Sequence, residues 1–199
     1  MRTASIVAAA FAFGACTFAM TRNAHALGPV DVEIGAKVGV GTNPLKSENG
    51  VSDPNPLGFG IGARGGVSFL GFYGGVQLMY YFGGSDDVTI AGQSLSLKDH
   101  AFMYGVEAGY GLTLIDILTI RPQVGIGNAT FSSSGNISGA INATANGTST
   151  SNLYIEPGVT ALISLGGWFV GADANLLFFP GLDDSKVAFS LHGQIGFKF

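Results

Sequence analysis

The sequence predicts an all-β protein: a transmembrane, antiparallel, up-and-down β-barrel of about eight strands behind an N-terminal signal peptide. Three observations predict it. Apolar residues recur at every second position in segments of ten or more residues, the period of a strand with one greasy and one polar face. After residue 26 there is no long apolar run, and 32 glycines interrupt nearly every stretch that would otherwise be helical. Charged residues make up only 11% of the chain, so the dispersed apolar faces suit a sheet whose outer side meets lipid.

The N-terminus agrees with export. Met1-Arg2-Thr3 is a short basic start, Ile6 to Met20 is apolar, and Ala24-His25-Ala26 has the small-x-small form of a signal-peptidase site. The competing reading, a transmembrane helix, needs roughly 20 apolar residues, and the cleavage motif arrives first. A lipoprotein site at Cys16 fits poorly with Phe13 three residues before it. Residues 1–26 are therefore read as removed, leaving one barrel domain over residues 27–199. Cys16, the single cysteine, leaves with them, so no disulfide or thiolate site is expected. Losing Arg2 and Arg22 leaves seven Lys and Arg against thirteen Asp and Glu, and an acidic chain without a basic run offers nucleic acid little to hold.

Each strand follows from its alternation. In Val30 to Gly41 every even residue is apolar, while Asp31, Glu33 and Lys37 share the other face with glycines. Leu57, Phe59, Ile61, Ala63, Val67 and Phe69 oppose Arg64 and Ser68 in the second strand. In the third, Phe72, Val76, Leu78, Tyr80 and Phe82 oppose Tyr73, Gln77, Met79 and Tyr81. The fourth, about Ala101 to Leu112, sets Phe102, Tyr104, Val106, Ala108 and Tyr110 against Glu107. The fifth sets Leu118, Ile120, Pro122, Val124 and Ile126 against Arg121 and Gln123, and a bulge or local break is expected at Pro122, which has no N–H. The sixth, Leu153 to Leu165, contains Glu156 and carries Pro157 in a similar place. Trp168 to Phe178 forms the seventh, with Asp173 and Asn175 on its polar face, and Val187 to Phe199 the eighth.

Short turns at Leu70-Gly71, Thr113 to Asp116 and Gly166-Gly167 alternate with polar loops at Thr42 to Asn55, Gly83 to Lys98 and Phe131 to Asn152, and a shorter acidic one at Gly181 to Ser185. That alternation is the pattern of a barrel with both termini in the periplasm. The last strand ends on Phe197 and Phe199 and resembles the C-terminal signal read by the outer-membrane barrel-assembly machinery. Over the whole mature chain the pattern resembles the small Gram-negative outer-membrane barrels of the OmpA/OmpX type. The resemblance implies an outer-membrane location, lipid and lipopolysaccharide as surroundings, and a monomer. Closing such a barrel requires the last strand to pair with Val30 to Gly41, because a spanning sheet tolerates no free edge.

The turns imply registers. A turn at Leu70-Gly71 sets Arg64 opposite Gln77, one centred on Leu114 sets Glu107 opposite Arg121, and one at Gly166-Gly167 sets Asp173 beside Thr160 and Asn175 beside Gly158. Eight staves enclose a lumen that side chains can fill. Glu33, Lys37, Arg64, Gln77, Glu107, Arg121, Glu156, Asp173 and His192 are accordingly expected to form an interior polar network of near-balanced charge. A gated ion path built from the same pairs is the functional alternative, making the protein a small porin-like channel.

Catalysis has little to stand on, and no cofactor or metal is expected. Ser190, His192 and Asp173 have the residue types of a hydrolytic triad, as a lipid-modifying enzyme would need, yet all three face a lumen closed to lipid. His100 reads as a solvated loop-edge residue. Asp86-Asp87 and Asp183-Asp184 lack calcium-loop spacing and read as solvated turns. Sequons at Asn136, Asn142 and Asn146 mark a hydrophilic surface loop. The function expected is non-enzymatic, structural or interactive, exerted through extracellular loops. The fold rival is a soluble lipocalin-like barrel with its apolar face inward.

Overall fold

The computed structural model describes residues 30–44, 55–90, 93–115, 117–138, 143–145, 149–182 and 187–199, with the backbone alone for 85–97, 134–138 and 143–145. The expected signal peptide with Cys16 lies outside the described residues, as do Asn142, Asn146, Asp183 and Asp184. The strands are β1 (Val30–Gly41), β2 (Phe59–Phe69), β3 (Phe72–Tyr81), β4 (Ser85–Ile90), β5 (Gln93–Tyr110) and β6 (Leu112–Ile115). They continue with β7 (Leu118–Ser138), β8 (Ala143–Ala145), β9 (Ser149–Leu165), β10 (Trp168–Leu177) and β11 (Ala188–Lys198).

Eight of them form a closed antiparallel ring in the order β1, β2, β3, β5, β7, β9, β10, β11. The three short strands extend its staves: β4 pairs with β5, β6 with β7, and β8 with β7. Closure runs from Glu33 opposite Lys198 to Gly41 opposite Ser190, so the first and last staves satisfy each other's backbone. Positive φ at Leu70 and Gly71, and at Gly166 and Gly167, gives two-residue hairpin turns of the twist that matches their strands. Arg64 accordingly opposes Gln77, Asp173 opposes Thr160, and Asn175 opposes Gly158.

One expected register is wrong. Glu107 lies opposite Gly125, and Arg121 opposite Thr160, because β6 stays paired through Ile115 opposite Leu118 and the chain reverses beyond Leu114. No glycine marks that turn, so composition gave its place only loosely. Two expected loops are also largely strand. Strand β4 and the start of β5 occupy most of Gly83 to Lys98, and β7, β8 and β9 occupy most of Phe131 to Asn152. Polar side chains there leave the backbone ladder intact, since Ser94 to Gly109 pairs continuously with β7.

The prolines break ladders without shifting register. Pro122 falls in the gap between the β5–β7 ladder, ending at Gly109 opposite Gln123, and the β6–β7 ladder, starting at Leu112 opposite Ile120. Pro157 sits where the β9–β10 ladder stops at Gly158 opposite Asn175, and a bridge from Ile155 to Phe178 resumes it in the same register. Each proline thus places its missing donor in a local break of one ladder, the break rather than the bulge of the two forms expected.

The outer face is apolar throughout the ring, with Val32, Ile34, Val38 and Val40 of β1 each 39–51% exposed and Phe189, Leu191 and Ile195 of β11 likewise outward. Aromatic belts bound it. Phe72 meets Tyr110 edge-on at 5.0 Å and Trp168 meets Phe197 at 4.1 Å near the short turns, while Phe59 stacks on Phe82 at 6.1 Å near the other end. Phe72 and Phe82 are ten residues apart, about 34 Å along a strand at roughly 3.4 Å per residue and about 26 Å along the axis at a tilt near 40°. The apolar band of outer-membrane barrels is about 25 Å tall. A soluble lipocalin-like barrel would turn this face inward, so that rival is excluded.

Candidate functional site in the barrel interior

Inward positions of eight staves converge on one narrow lumen, and large side chains fit only where an opposing residue is small. Tyr73 occupies such a slot: a Cβ on Gly66 or Gly75 would fall within 2.6 Å of its ring or hydroxyl. In the half nearest the short turns the contents are charged. Glu33 of β1 accepts both guanidinium nitrogens of Arg121, at 2.6 and 3.0 Å across the lumen from β7, and Arg64 Nη2 at 3.2 Å. Arg64 also donates to Gln194 at 2.7 Å. Both guanidinium groups lie over the Tyr73 ring, at 4.8 Å for Arg64 and 4.0 Å for Arg121. The Tyr73 hydroxyl donates in turn to Glu107 at 3.2 Å.

Asp173 of β10 is the second hub. It pairs with Lys37 Nζ at 3.3 Å and accepts from His192 Nδ1 at 2.7 Å, Asn175 at 2.6 Å and Gln194 at 3.2 Å. Lys37 donates to Gln77 at 2.9 Å, and Gln77 donates to Glu156 on β9. Because a carboxylate only accepts, His192 donates to Asp173 through Nδ1, and its Nε2 hydrogen-bonds with the Tyr81 hydroxyl at 2.6 Å. All nine residues expected in the interior network are buried there. Their side-chain partners are not the expected cross-strand neighbours: Arg64 bonds Glu33 and Gln194, Gln77 bonds Lys37 and Glu156, and Thr160 bonds Gln123. Arg121 pairs with Glu33, while Glu107 is held by Tyr73 and by Gln123 at 3.5 Å.

The other half of the lumen is mainly apolar, which the strand patterns did not separate out. Met79 lies opposite Met103, and with Leu57, Tyr81, Ala101, Ala129, Tyr154, Leu177, Phe179 and Ala188 it forms one buried cluster. The signal was present in β3, whose inward residues run Tyr73, Gln77, Met79, Tyr81 and lose polarity along the strand. Tyr81 joins the halves through its bond to His192.

A hydrolytic triad is not assembled. Nε2 of His192 is taken by Tyr81, and Ser190 Oγ has no partner among the described residues. His100 packs against the Tyr80 ring at 5.8 Å. Asp86 and Asp87 lie on β4 and Asn136 on β7, with backbone alone described. Phe197 and Phe199 stack at 6.4 Å on the outer face beside Trp168. Cavities of about 120 Å³ and 180 Å³ flank the two mouths, and the network lies between them.

No protein-family model and no curated protein matches the chain. Among solved structures it is similar to a major outer membrane protein from Thermus thermophilus, with a TM-score of 0.60 at 13% identity over 85% of this chain and 99% of that one. It is also similar to Neisserial surface protein A, with a TM-score of 0.46 at 13% identity over 86% and 98% of the two chains. A third is Ail, the attachment invasion locus protein of Yersinia pestis, in complex with the heparin analogue sucrose octasulfate. Its TM-score is 0.45 at 14% identity over 85% and 97%. The fold is that of small outer-membrane barrels.

Proposed function

We propose that the chain is a monomeric, non-enzymatic outer-membrane protein that presents its long-loop end to the outside and keeps its lumen shut. One observation carries this reading: crossbars such as Arg121 to Glu33 and Gln77 to Glu156 join opposite sides of the lumen between the two mouth cavities. Glu33 with Arg64 and Arg121, and Asp173 with Lys37, already neutralise one another, so a passing ion would have to displace a buried, paired charge. The apolar band and its aromatic belts support insertion among lipid and lipopolysaccharide, with termini and short turns in the periplasm. Phe197 and Phe199 serve as the signal for the assembly machinery.

Fractionation, heat-modifiable gel migration and planar-bilayer recording test these points together. The wild type is expected in the outer membrane, with a folded band that shifts on boiling, and without unitary conductance in wild type or Glu107→Ala. Recovery from the periplasm as a soluble protein overturns the location, and steady single-channel steps in the wild type install the porin-like reading instead. Deleting Phe199 is expected to cut the outer-membrane yield while the purified chain still refolds from urea; equal yields would remove its role as a signal.

A further inference from the structure

The long-loop mouth contains a cavity of about 180 Å³ that the interior network does not use. Three adjacent staves wall it with Asp99 of β5, Phe131 and Ser133 of β7, and Thr150 and Asn152 of β9, and Leu182 adds an apolar side. The ladders bring these residues together, Asp99 opposite Ser133 and Phe131 opposite Thr150. Phe131 meets Phe179 of the buried apolar cluster edge-on at 5.4 Å, so the cup has a greasy floor. Asn152 is only 8% exposed, and its Nδ2 has no hydrogen-bond partner among the described residues. Buried amides are normally satisfied, and one left unpaired beside a cavity asks for an acceptor from outside the chain.

We propose that this cup binds a single uncharged sugar ring, an assignment that rests on the outward orientation proposed above. The unpaired Asn152 N–H would be met by a ligand acceptor, and the half-buried Asp99 carboxylate, which only accepts, can take a ligand donor. A hydroxyl is both, and neighbouring hydroxyls on one ring serve the two groups at once. Phe131 and Leu182 cover the C–H face of such a ring. An ammonium ion would suit Asp99 but oppose the Asn152 donor, and Asp99 repels a sulfate or phosphate. The volume falls below the roughly 300 Å³ of sites for drug-sized ligands, which suits an occupant of one ring.

The test uses the full barrel, isotope-labelled and refolded in amine-oxide detergent micelles, titrated separately with the methyl glycosides of glucose, mannose and galactose. Side-chain amide resonances of Asn152 report binding. At least one glycoside is expected to shift them saturably with Kd on the order of 1 mM, and Asp99→Asn is expected to weaken that binding about tenfold or more. Asn152→Leu, which removes an unpaired amide at similar volume, should fold and abolish binding read on the Phe131 ring. Tetramethylammonium and inorganic sulfate are expected to leave all these signals in place. The proposal is overturned if no glycoside moves Asn152, if Asp99→Asn binds as well as wild type, or if only tetramethylammonium or sulfate binds. Failure of the glycosides on a barrel that still fractionates with the outer membrane removes the cup and spares the surface role. Binding by a barrel found soluble in the periplasm does the reverse.

Discussion

Near the short turns Glu33 is clamped by Arg64 and Arg121, whereas toward the long loops Met79 faces Met103 amid Tyr81, Tyr154 and Leu177. Both halves close the same lumen, but they respond differently to change. An ion cluster depends on every member, since deleting one strands the charges it neutralised. An apolar cluster loses only the area and volume removed, and it repacks in part.

Equilibrium urea unfolding of the barrel refolded in lipid vesicles would sharpen the contrast. Glu33→Ala leaves two buried guanidinium groups without their carboxylate and should cost about 3–5 kcal/mol. Leu177→Ala opens a cavity in the apolar half and should cost about 2–4 kcal/mol. Met103→Leu conserves volume and should cost less than about 1.5 kcal/mol. If Leu177→Ala proves worse than Glu33→Ala, the charged half is not the more brittle one. A large loss from Met103→Leu would mean that the apolar half is packed as rigidly as the ionic one.

Much of this architecture is legible in the sequence. Alternation located all eight staves, and two glycine-marked turns set registers that place Arg64 by Gln77 and Asp173 by Thr160. The turn after β6 carries no glycine, and a displacement of two residues there moved every partner by four, so Glu107 was matched with Arg121. That error also hid the true bond, because Arg121 reaches a stave on the far side of the ring and cross-lumen distances leave no trace in local spacing. The strand ends above the band were hidden for another reason. Backbone pairing of Ser94 to Asp99 with Ser133 to Ser138 needs no apolar side chain, so a Ser- and Asn-rich stretch reads as loop. The cup lies in that stretch, which is why neither Asp99 nor Asn152 stood out.

The raised wall has a thermodynamic consequence. The β5–β7 ladder runs for sixteen residue pairs against nine between β1 and β11, about 24 Å more along the strand at roughly 3.4 Å per residue. Asp99, Phe131, Ser133, Thr150 and Asn152 are all held by paired strands. Fixing the backbone of a free loop costs roughly 1–2 kcal/mol per residue, and a receptor built on loops meets that cost each time it binds. For those five residues it was met once, when the barrel folded, so the small occupant proposed above would meet walls whose backbone is already in place.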